Sequence, residues 1–283
     1  MGSPRVLLCS PDHFDVVYAI NPHMVGDDGR LSEVDRPRAV AQWHGLKNAY
    51  ERLGVEVNVI PGVAGLPDMV FTANQTFPWR TADGSLHVLL SSMASVERRP
   101  EVPYFRRWYE ERGYTIHVPD PSWGLLEGMG DLLWHPTRPA LLGGHGFRTS
   151  ERALIEIEAL VGVPVVPLRL VDPRWYHLDT CLAPLDGSRA LVCPKAFDPV
   201  SWDAIEDLFP DWISPVEDEG ERGFACNLHV VGGESVIIDD ASPRTAVLLE
   251  ELGWNVVRLP MTEFRKSGGS VFCLKMELPR SES

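Results

Sequence analysis

A cysteine, a histidine and an acidic residue lie in short segments of this chain that mix strand-forming and turn-forming residues. Cys273 stands in SGGSVFCLKMEL, His177 in YHLDTC and Glu127 in EGMGD. A thiolate nucleophile needs a proton acceptor, and an imidazole that fills this role needs a partner such as a carboxylate to orient it. Together these residue types predict covalent catalysis by Cys273, with His177 as the acid and base and Glu127 beside it.

Taken singly, each of these residues has a simpler structural interpretation. Cys273 lies between a phenylalanine and a leucine, which fits a small buried side chain, the usual state of a free cysteine. His177 fits a hydrogen-bonded core histidine, and Glu127 fits a residue that caps a turn. The hypothesis of a reactive site therefore depends on the whole set rather than on any one member.

Further polar residues fit the recognition of a planar cation that carries an amino-acid group. Asp68 in PDMVFTANQTF and Asp179 in YHLDTC could pair with the N–H groups of a guanidinium, because planar bidentate pairing is a strong geometry. An α-carboxylate on the same ligand needs a cation, which Arg148 in GGHGFRTS or Arg98 in SVERRPEVPYF could supply. The glycines before Cys273 would let the backbone approach such a ligand closely.

Composition sets limits on the class of protein and on its partners. The chain has 283 residues, of which 44% are hydrophobic and 23% are charged, as in ordinary globular proteins. Its net charge of -14 argues against nucleic-acid and anionic-membrane partners and leaves a small molecule as the expected one. Oligomeric state stays open, as does closure of the loop 21–33 over a site.

Cysteine usage and hydropathy add expectations about cofactors and location. Five cysteines without CxxC spacing predict neither a disulfide framework nor a zinc site, and no metal or other cofactor is expected. No apolar run approaches membrane-spanning length, and the N-terminus lacks the pattern of a signal peptide. We therefore expect a cytoplasmic protein.

The pattern of elements predicts an α/β protein built from repeated modules. Helical patterns cover 34–53, 102–112, 151–161, 201–208 and 242–252, and four of them end near a glycine that precedes a strand-like run. Strands are also expected at 211–214 and 271–278. About five ββαβ modules fit the chain, and no linker divides it, so we expect one domain over residues 1–283. A doubly wound sheet is the rival fold, but no GxGxxG follows the first strand.

The ordered set FTAN, EGMGD, GFRTS, HLDT and SGGSVFCL resembles the guanidine-modifying superfamily. Its members include arginine deiminases, dimethylarginine dimethylaminohydrolases and amidinotransferases. The resemblance runs from INP, which contains Asn21, to Cys273. It implies a five-bladed α/β propeller with pseudo-fivefold ββαβ repeats and a central active site.

The resemblance also implies roles for the polar residues. Cys273 would be the nucleophile and His177 the general acid and base. Glu127 and Asp179 would hold the guanidinium group. Arg148 would bind the α-carboxylate of the substrate, with either Arg98 or the arginine that follows it as a second ligand.

Asn74, at the end of FTAN, departs from the arginine deiminases, which typically have an acidic residue there. FTAN, the early INP with Asn21, and YHLDTC are instead similar to arginine dihydrolases, which convert arginine to ornithine, ammonia and carbon dioxide. An amide both donates and accepts hydrogen bonds, so Asn74 could hold the neutral ureido group left after the first displacement. Asn21, Asp68 and Asn74 are therefore candidate substrate ligands.

The resemblance, together with the difference at Asn74, leaves four candidate functions. Arginine dihydrolase is the prediction. A dimethylarginine dimethylaminohydrolase, which gives citrulline and dimethylamine, and an arginine deiminase are the alternatives within enzymes. A non-catalytic arginine-binding protein is the alternative outside them, although binding alone does not need a thiol beside an imidazole.

Overall fold

A computed structural model describes residues 2–26 and 28–280, which form short strands, α-helices and single turns of 3-10 helix. The strands are β1 (Arg5–Cys9), β2 (Glu56–Ile60), β3 (Thr76–Arg80), β4 (Leu86–Leu90), β5 (Thr115–His117), β6 (Leu132–Trp134), β7 (Leu141–His145), β8 (Val165–Arg169), β9 (Leu182–Pro184), β10 (Ala190–Val192), β11 (His229–Val231), β12 (Ser235–Asp239), β13 (Asn255–Leu259) and β14 (Lys275–Leu278). The α-helices are α1 (Arg36–Arg52), α2 (Val102–Glu110), α3 (Gly128–Asp131), α4 (Glu151–Val161), α5 (Pro199–Leu208), α6 (Pro243–Glu251) and α7 (Thr262–Arg265).

Five small sheets organise the described part of the chain, and they share one pattern of strands. β1 pairs antiparallel with β14 and parallel with β2. β4, β7 and β12 lie in the same way between an antiparallel and a parallel neighbour. In the remaining sheet β10 pairs antiparallel with β9, and one parallel bridge joins Leu191 to Ile213. A helix precedes the parallel member of each sheet, so the chain repeats a ββαβ order and the predicted α/β class is confirmed.

The four helix-ending glycines make the turn from a helix into the parallel strand of its sheet. Gly54, Gly113, Gly162 and Gly253 have φ values of 74°, 76°, 78° and 102°. This left-handed region is costly for side chains with a Cβ, so glycine is the residue that ends these helices at least cost. The N–H of Gly162 donates to the carbonyl of Glu158 at 3.0 Å and closes the last turn of α4.

Two expected strands differ from the structure. The segment 211–214 takes part in a sheet only at Ile213, because this run follows the end of α5 too closely to extend a ladder. In 271–278 the strand begins at Lys275, because the N–H groups of Phe272 and Cys273 donate to Asn227 instead of to a neighbouring strand. The sequence did not predict three of the strands, β3, β6 and β9. β3 contains a proline, and the other two have three residues each.

The polar candidates lie in the short segments that precede the antiparallel strands of successive sheets. A 3-10 turn at Pro67–Val70 precedes β3, α3 precedes β6, and a 3-10 turn at Leu178–Thr180 precedes β9. Glu127 is the N-cap residue of α3, and His177 is the N-cap residue of the turn before β9. Cys273 lies two residues before the start of β14. Repetition of the module therefore brings residues that are distant in sequence to equivalent positions.

Apolar side chains surround these polar segments. Cys273 is 3% exposed and packs in a cluster that contains Phe71 and Val271, while Phe272 packs against two other clusters. Burial of such side chains contributes most of the favourable free energy of folding. None of the described helices is both long and apolar enough to cross a membrane.

Candidate active site

The sulfur of Cys273 lies between a carboxylate and an amide. Its Sγ is 3.3 Å from Oδ2 of Asp179, and Nδ2 of Asn227 donates to it at 3.1 Å. Burial raises the pKa of the Cys273 thiol well above its usual range, and the Asp179 carboxylate raises it further. Without a bound cation, Cys273 is therefore a thiol that can donate its proton toward Asp179.

His177 and Glu127 form a buried pair. Nε2 of His177 is 2.7 Å from Oε2 of Glu127, and both residues are at most 1% exposed. Burial by itself raises the pKa of Glu127, but its hydrogen bond to His177 and the charges of His177 and Arg148 lower it to about 2. Glu127 is thus a carboxylate at neutral pH, and it can fix the ring orientation of His177 and stabilise its protonated form.

Two further buried carboxylates flank this pair, Asp179 of the HLDT segment and Asp131 at the end of α3. Burial raises the pKa of Asp179 to about 7, and Oδ1 of Asp179 has no protein partner. Burial also raises the pKa of Asp131 to about 6, although Asp131 accepts hydrogen bonds from the Leu178 N–H and the Thr149 hydroxyl. Asp131 supports the backbone that carries His177, whereas Asp179 has an oxygen left for a ligand.

Arg98 is held by an extensive set of contacts. Its Nε and Nη2 donate to the Glu101 carboxylate at distances of 3.0 to 3.2 Å. Nη1 donates to Oδ1 of Asn74 at 2.8 Å, and Nη2 also donates to the backbone oxygens of Asp68 and Phe71. Only one hydrogen, on Nη1, is left for a ligand.

The contact with Arg98 orients the amide of Asn74. Since Oδ1 faces Arg98, Nδ2 faces the opposite way, and it is buried without a protein partner. Oδ1 of Asp68 accepts a hydrogen bond from Ser267 at 2.8 Å, and the Tyr18 hydroxyl lies beside the same carboxylate. Burial raises the pKa of Asp68, and the charge of Arg98 opposes this effect.

Arg148 and Asn21 tie the loop that begins at residue 20 to the body of the protein. Nη2 of Arg148 donates to the carbonyl of Ile20 at 2.6 Å, and Nη1 lies 3.3 Å from Glu127. Nδ2 of Asn21 donates to the carbonyl of Ser267 at 2.9 Å, and its Oδ1 accepts from the N–H at position 23. Residue 27 of this loop lies outside the described residues.

These side chains surround one cavity of about 290 Å³. Seven of the predicted site residues line it: Asn21, Asp68, Asn74, Arg98, Arg148, His177 and Cys273. Glu127 and Asp179 contact the cavity-lining residues His177 and Cys273. Arg99 is the arginine that follows Arg98 and the other candidate for the second carboxylate ligand. It does not line this cavity, and its Nε donates to the carbonyl of Met93. A larger cavity of about 1340 Å³ around Trp79 and Trp134 contains none of these groups.

The sequence interpretation missed Asn227. Its side chain contacts the sulfur of Cys273, and it is fully buried. Its position in the sequence could have indicated a site residue. Asn227 precedes β11 in the same way that His177 precedes β9 and Glu127 precedes β6. Within residues 2–26 and 28–280, no group of three or more His, Cys, Asp or Glu side chains is placed to hold a metal ion.

Comparison with proteins of known sequence shows the family. The model for eukaryotic N,N dimethylarginine dimethylhydrolases matches residues 11–280. A bifunctional arginine dihydrolase/ornithine cyclodeaminase from Synechocystis sp. is 38% identical over 276 residues, which are 97% of this chain and 37% of that protein. The chain thus spans little more than a third of that relative. An N(G),N(G)-dimethylarginine dimethylaminohydrolase from Mycobacterium tuberculosis is 38% identical over 98% of this chain and 89% of its own length.

Solved structures agree with this relationship. The N-terminal domain of a cyanobacterial arginine dihydrolase, a mutant bound to its substrate, superposes with a TM-score of 0.89 at 37% identity. The match covers 98% of this chain and 99% of that domain. A dimethylarginine dimethylaminohydrolase from Pseudomonas aeruginosa, complexed with citrulline, shares the fold with a TM-score of 0.80 at 20% identity. This chain belongs to the N,N dimethylarginine dimethylhydrolase family of the guanidine-modifying superfamily.

Proposed function

We propose that this chain hydrolyses the guanidino group of arginine through a covalent thiouronium intermediate on Cys273. The reaction consumes arginine and two water molecules, and it releases ornithine, two molecules of ammonia and carbon dioxide. One observation carries the proposal: Cys273 and His177 line the same cavity as Asp68 and Asn74, and Nδ2 of Asn74 is buried without a partner. A second such atom, Oδ1 of Asp179, belongs to the carboxylate that contacts the sulfur.

The first displacement would use the groups around the sulfur. Asp179 and Glu127 hold the guanidinium by its N–H groups, and the cation favours the thiolate form of Cys273. His177 takes the proton of the Cys273 thiol, the sulfur attacks the guanidinium carbon, and His177 gives the proton to the ammonia that leaves. His177 then takes a proton from the water that attacks the thiouronium carbon, and the C–S bond breaks. The orientation of His177 by Glu127 supports this role.

The amino-acid end of the substrate would bind to the two arginines and to Asp68. Arg148 and the free Nη1 hydrogen of Arg98 supply positive charge for the α-carboxylate. The carboxylate of Asp68, which lines the cavity, can accept from the α-ammonium group. Asn21 contributes by holding its loop against Ser267 at the edge of the cavity.

Asn74 supports the second displacement. Its oxygen is used by Arg98, so it presents a donor to the cavity rather than both a donor and an acceptor. A guanidinium has only donors to offer, whereas the ureido group formed by the first displacement has an oxygen that can accept. The amide therefore favours the ureido group remaining bound. Cys273 then attacks the ureido carbon and displaces the second ammonia, and water cleaves the resulting S-carbamoyl bond to give a carbamate that loses carbon dioxide and leaves ornithine.

The second candidate is a dimethylarginine dimethylaminohydrolase. The observation that favours it is 38% identity to the Mycobacterium tuberculosis enzyme of that name across nearly all of this chain. In this case dimethylamine leaves in the first displacement, and citrulline is released without a second attack. Arginine deiminase differs only in its leaving group, which is ammonia.

The five sheets support a proposal about overall architecture as well. Their common strand pattern fits five blades around a pseudo-fivefold axis, with the site at the axis and one domain over residues 1–283. A small amino acid is the proposed partner, and the cytoplasmic location remains a prediction from the sequence.

One assay separates the candidate reactions. The protein is incubated with arginine, with dimethylarginine and with citrulline, and products are identified by mass. Ornithine from arginine, absent in a Cys273→Ser variant, is the expected result. Accumulation of citrulline from arginine without ornithine would overturn the dihydrolase proposal, and turnover of dimethylarginine alone would favour the second candidate.

A further inference from the structure

Asn227 connects the segment that carries Cys273 to the segment that carries Asp179. Its Oδ1 accepts from the backbone N–H groups of Ser270 and Cys273 at 3.0 and 3.2 Å. Its Nδ2 donates to the backbone carbonyl of Asp179 at 3.0 Å and to the sulfur of Cys273 at 3.1 Å. Every hydrogen-bonding atom of this buried amide is thus in use.

These contacts allow only one orientation of the amide. If the group were flipped, its NH₂ would face two backbone N–H groups and its oxygen would face the carbonyl of Asp179. Each of these contacts would be repulsive in a site from which water is excluded. The backbone therefore forces an N–H of Asn227 to point at the sulfur of Cys273.

Burial and the Asp179 carboxylate disfavour negative charge on the sulfur, whereas the charge of buried Lys275 and the backbone N–H of Ser270 favour it. The side chain of Cys273 is buried, and the Asp179 carboxylate lies 3.3 Å from it. Among the described residues, Asn227 is the one side chain that donates an N–H to this sulfur. A hydrogen bond to a charged group in a buried site is stronger than one between neutral groups.

We propose that Asn227 is a catalytic residue, whose fixed amide N–H stabilises the sulfur of Cys273 as a thiolate. This inference rests on the proposed function, in which Cys273 is the nucleophile. The thiolate exists before the C–S bond forms and again when that bond breaks in hydrolysis of the intermediate. The same N–H would therefore assist both attack by the sulfur and its departure.

The test is Asn227→Asp, measured by the rate at which iodoacetamide alkylates Cys273 between about pH 6 and pH 10. Aspartate keeps an acceptor for the two backbone N–H groups but places an oxygen against the sulfur. Alkylation at a given pH should become about tenfold to a hundredfold slower, the range expected for loss of a hydrogen bond to a charged group. Peptide mass analysis separates Cys273 from the other four cysteines, which are also buried.

Kinetics with arginine provide the second measurement. Asn227 does not line the cavity, so kcat should fall by a similar factor while KM changes by less than about twofold. Asn255→Asp is the matched control, because it makes the same change at an exposed position at the start of β13. It should leave both alkylation and turnover unchanged.

The outcomes distinguish this inference from the proposed function. If Cys273→Ser is inactive but Asn227→Asp alkylates and turns over like the native protein, the role of Asn227 is refuted and the nucleophile stands. If Cys273→Ser remains active, the proposed function itself fails. Should Asn227→Asp not fold, Asn227→Ser is measured in its place. Slower alkylation of Cys273 would support the role, and an unchanged rate would refute it.

Discussion

Nη1 of Arg98 donates a hydrogen bond to Oδ1 of Asn74 at 2.8 Å, and this contact decides which atom Asn74 offers to the cavity. The Glu101 carboxylate holds Arg98 in place, and Gln75 donates to Glu101 at 2.6 Å. Gln75 and Glu101, which do not line the cavity, thus act through Arg98 to fix the orientation of one amide inside it. The proposed choice between citrulline and ornithine depends on this orientation.

Asn74→Asp should change the products more than the first step. An aspartate would accept from Arg98 with one oxygen and present the other to the cavity, where it cannot donate to a ureido oxygen. We expect the ratio of ornithine to citrulline formed from arginine to fall about tenfold, the effect of losing one good hydrogen bond in a buried site. Mass analysis of products over time measures this ratio. An unchanged ratio would show that Asn74 does not control the second displacement.

Cys273→Ser should remove turnover and leave the fold intact. A hydroxyl is a much weaker nucleophile than a thiolate, so kcat should fall by about a thousandfold or more. Arginine should still bind, because the carboxylates and arginines around the cavity are unchanged. Calorimetric titration measures binding, and thermal unfolding checks the fold. Retention of near-native kcat would contradict the covalent mechanism.

Asp179→Asn should alter how stability depends on pH. The folded protein raises the pKa of Asp179 to about 7 by burial, above the value of about 3.9 in an unfolded chain. The folded state therefore binds the proton more tightly, and the free energy of unfolding falls as pH rises between these two values. An asparagine side chain does not titrate, so the variant does not lose free energy of unfolding in this way. The difference in free energy of unfolding between the variant and the native protein should therefore shift in favour of the variant by about 1 kcal/mol or more between pH 5 and pH 8.

Urea unfolding at the two pH values measures this difference between Asp179→Asn and the native protein. Parallel pH dependence of the two proteins would mean that Asp179 titrates alike when folded and unfolded. Activity provides an independent readout, because the variant cannot offer a carboxylate to the guanidinium. Its kcat/KM for arginine should fall at every pH.

Two glycine substitutions test the helix-to-strand turn. Gly162→Ala forces a Cβ into a position with a φ of 78°, which should lower the free energy of unfolding by about 1 kcal/mol. Gly45→Ala is the matched control within α1, where an added Cβ meets nothing within 4 Å. It should raise the free energy of unfolding by about 0.5–1 kcal/mol. Denaturant unfolding measures both, and equal effects would show that backbone conformation at Gly162 is not limiting.

The sequence by itself determined the class of chemistry and the repeated module. Cys273, His177 and Glu127 were predicted as a set because their residue types are complementary and their motifs occur in a family's order. The helices were found because apolar periodicity and terminal glycines are local signals. β6 and β9, with three residues each, left no such signal, because their pairing partners rather than their own residues define them.

Only the tertiary structure decided how the polar groups pair. The position of Asn227 before a strand is a local signal, but its contact with the sulfur of a residue 46 positions away is visible only in the fold. From the sequence, Arg98 and Arg99 were equally good candidates for a carboxylate ligand. In the fold Arg98 contacts Asn74, whereas Arg99 contacts Met93. Hydrogen bonds between distant segments depend on where the sheets bring them together, and that geometry follows from packing of the whole chain. Residue types specify what a site can do, whereas the fold decides which atoms face the ligand.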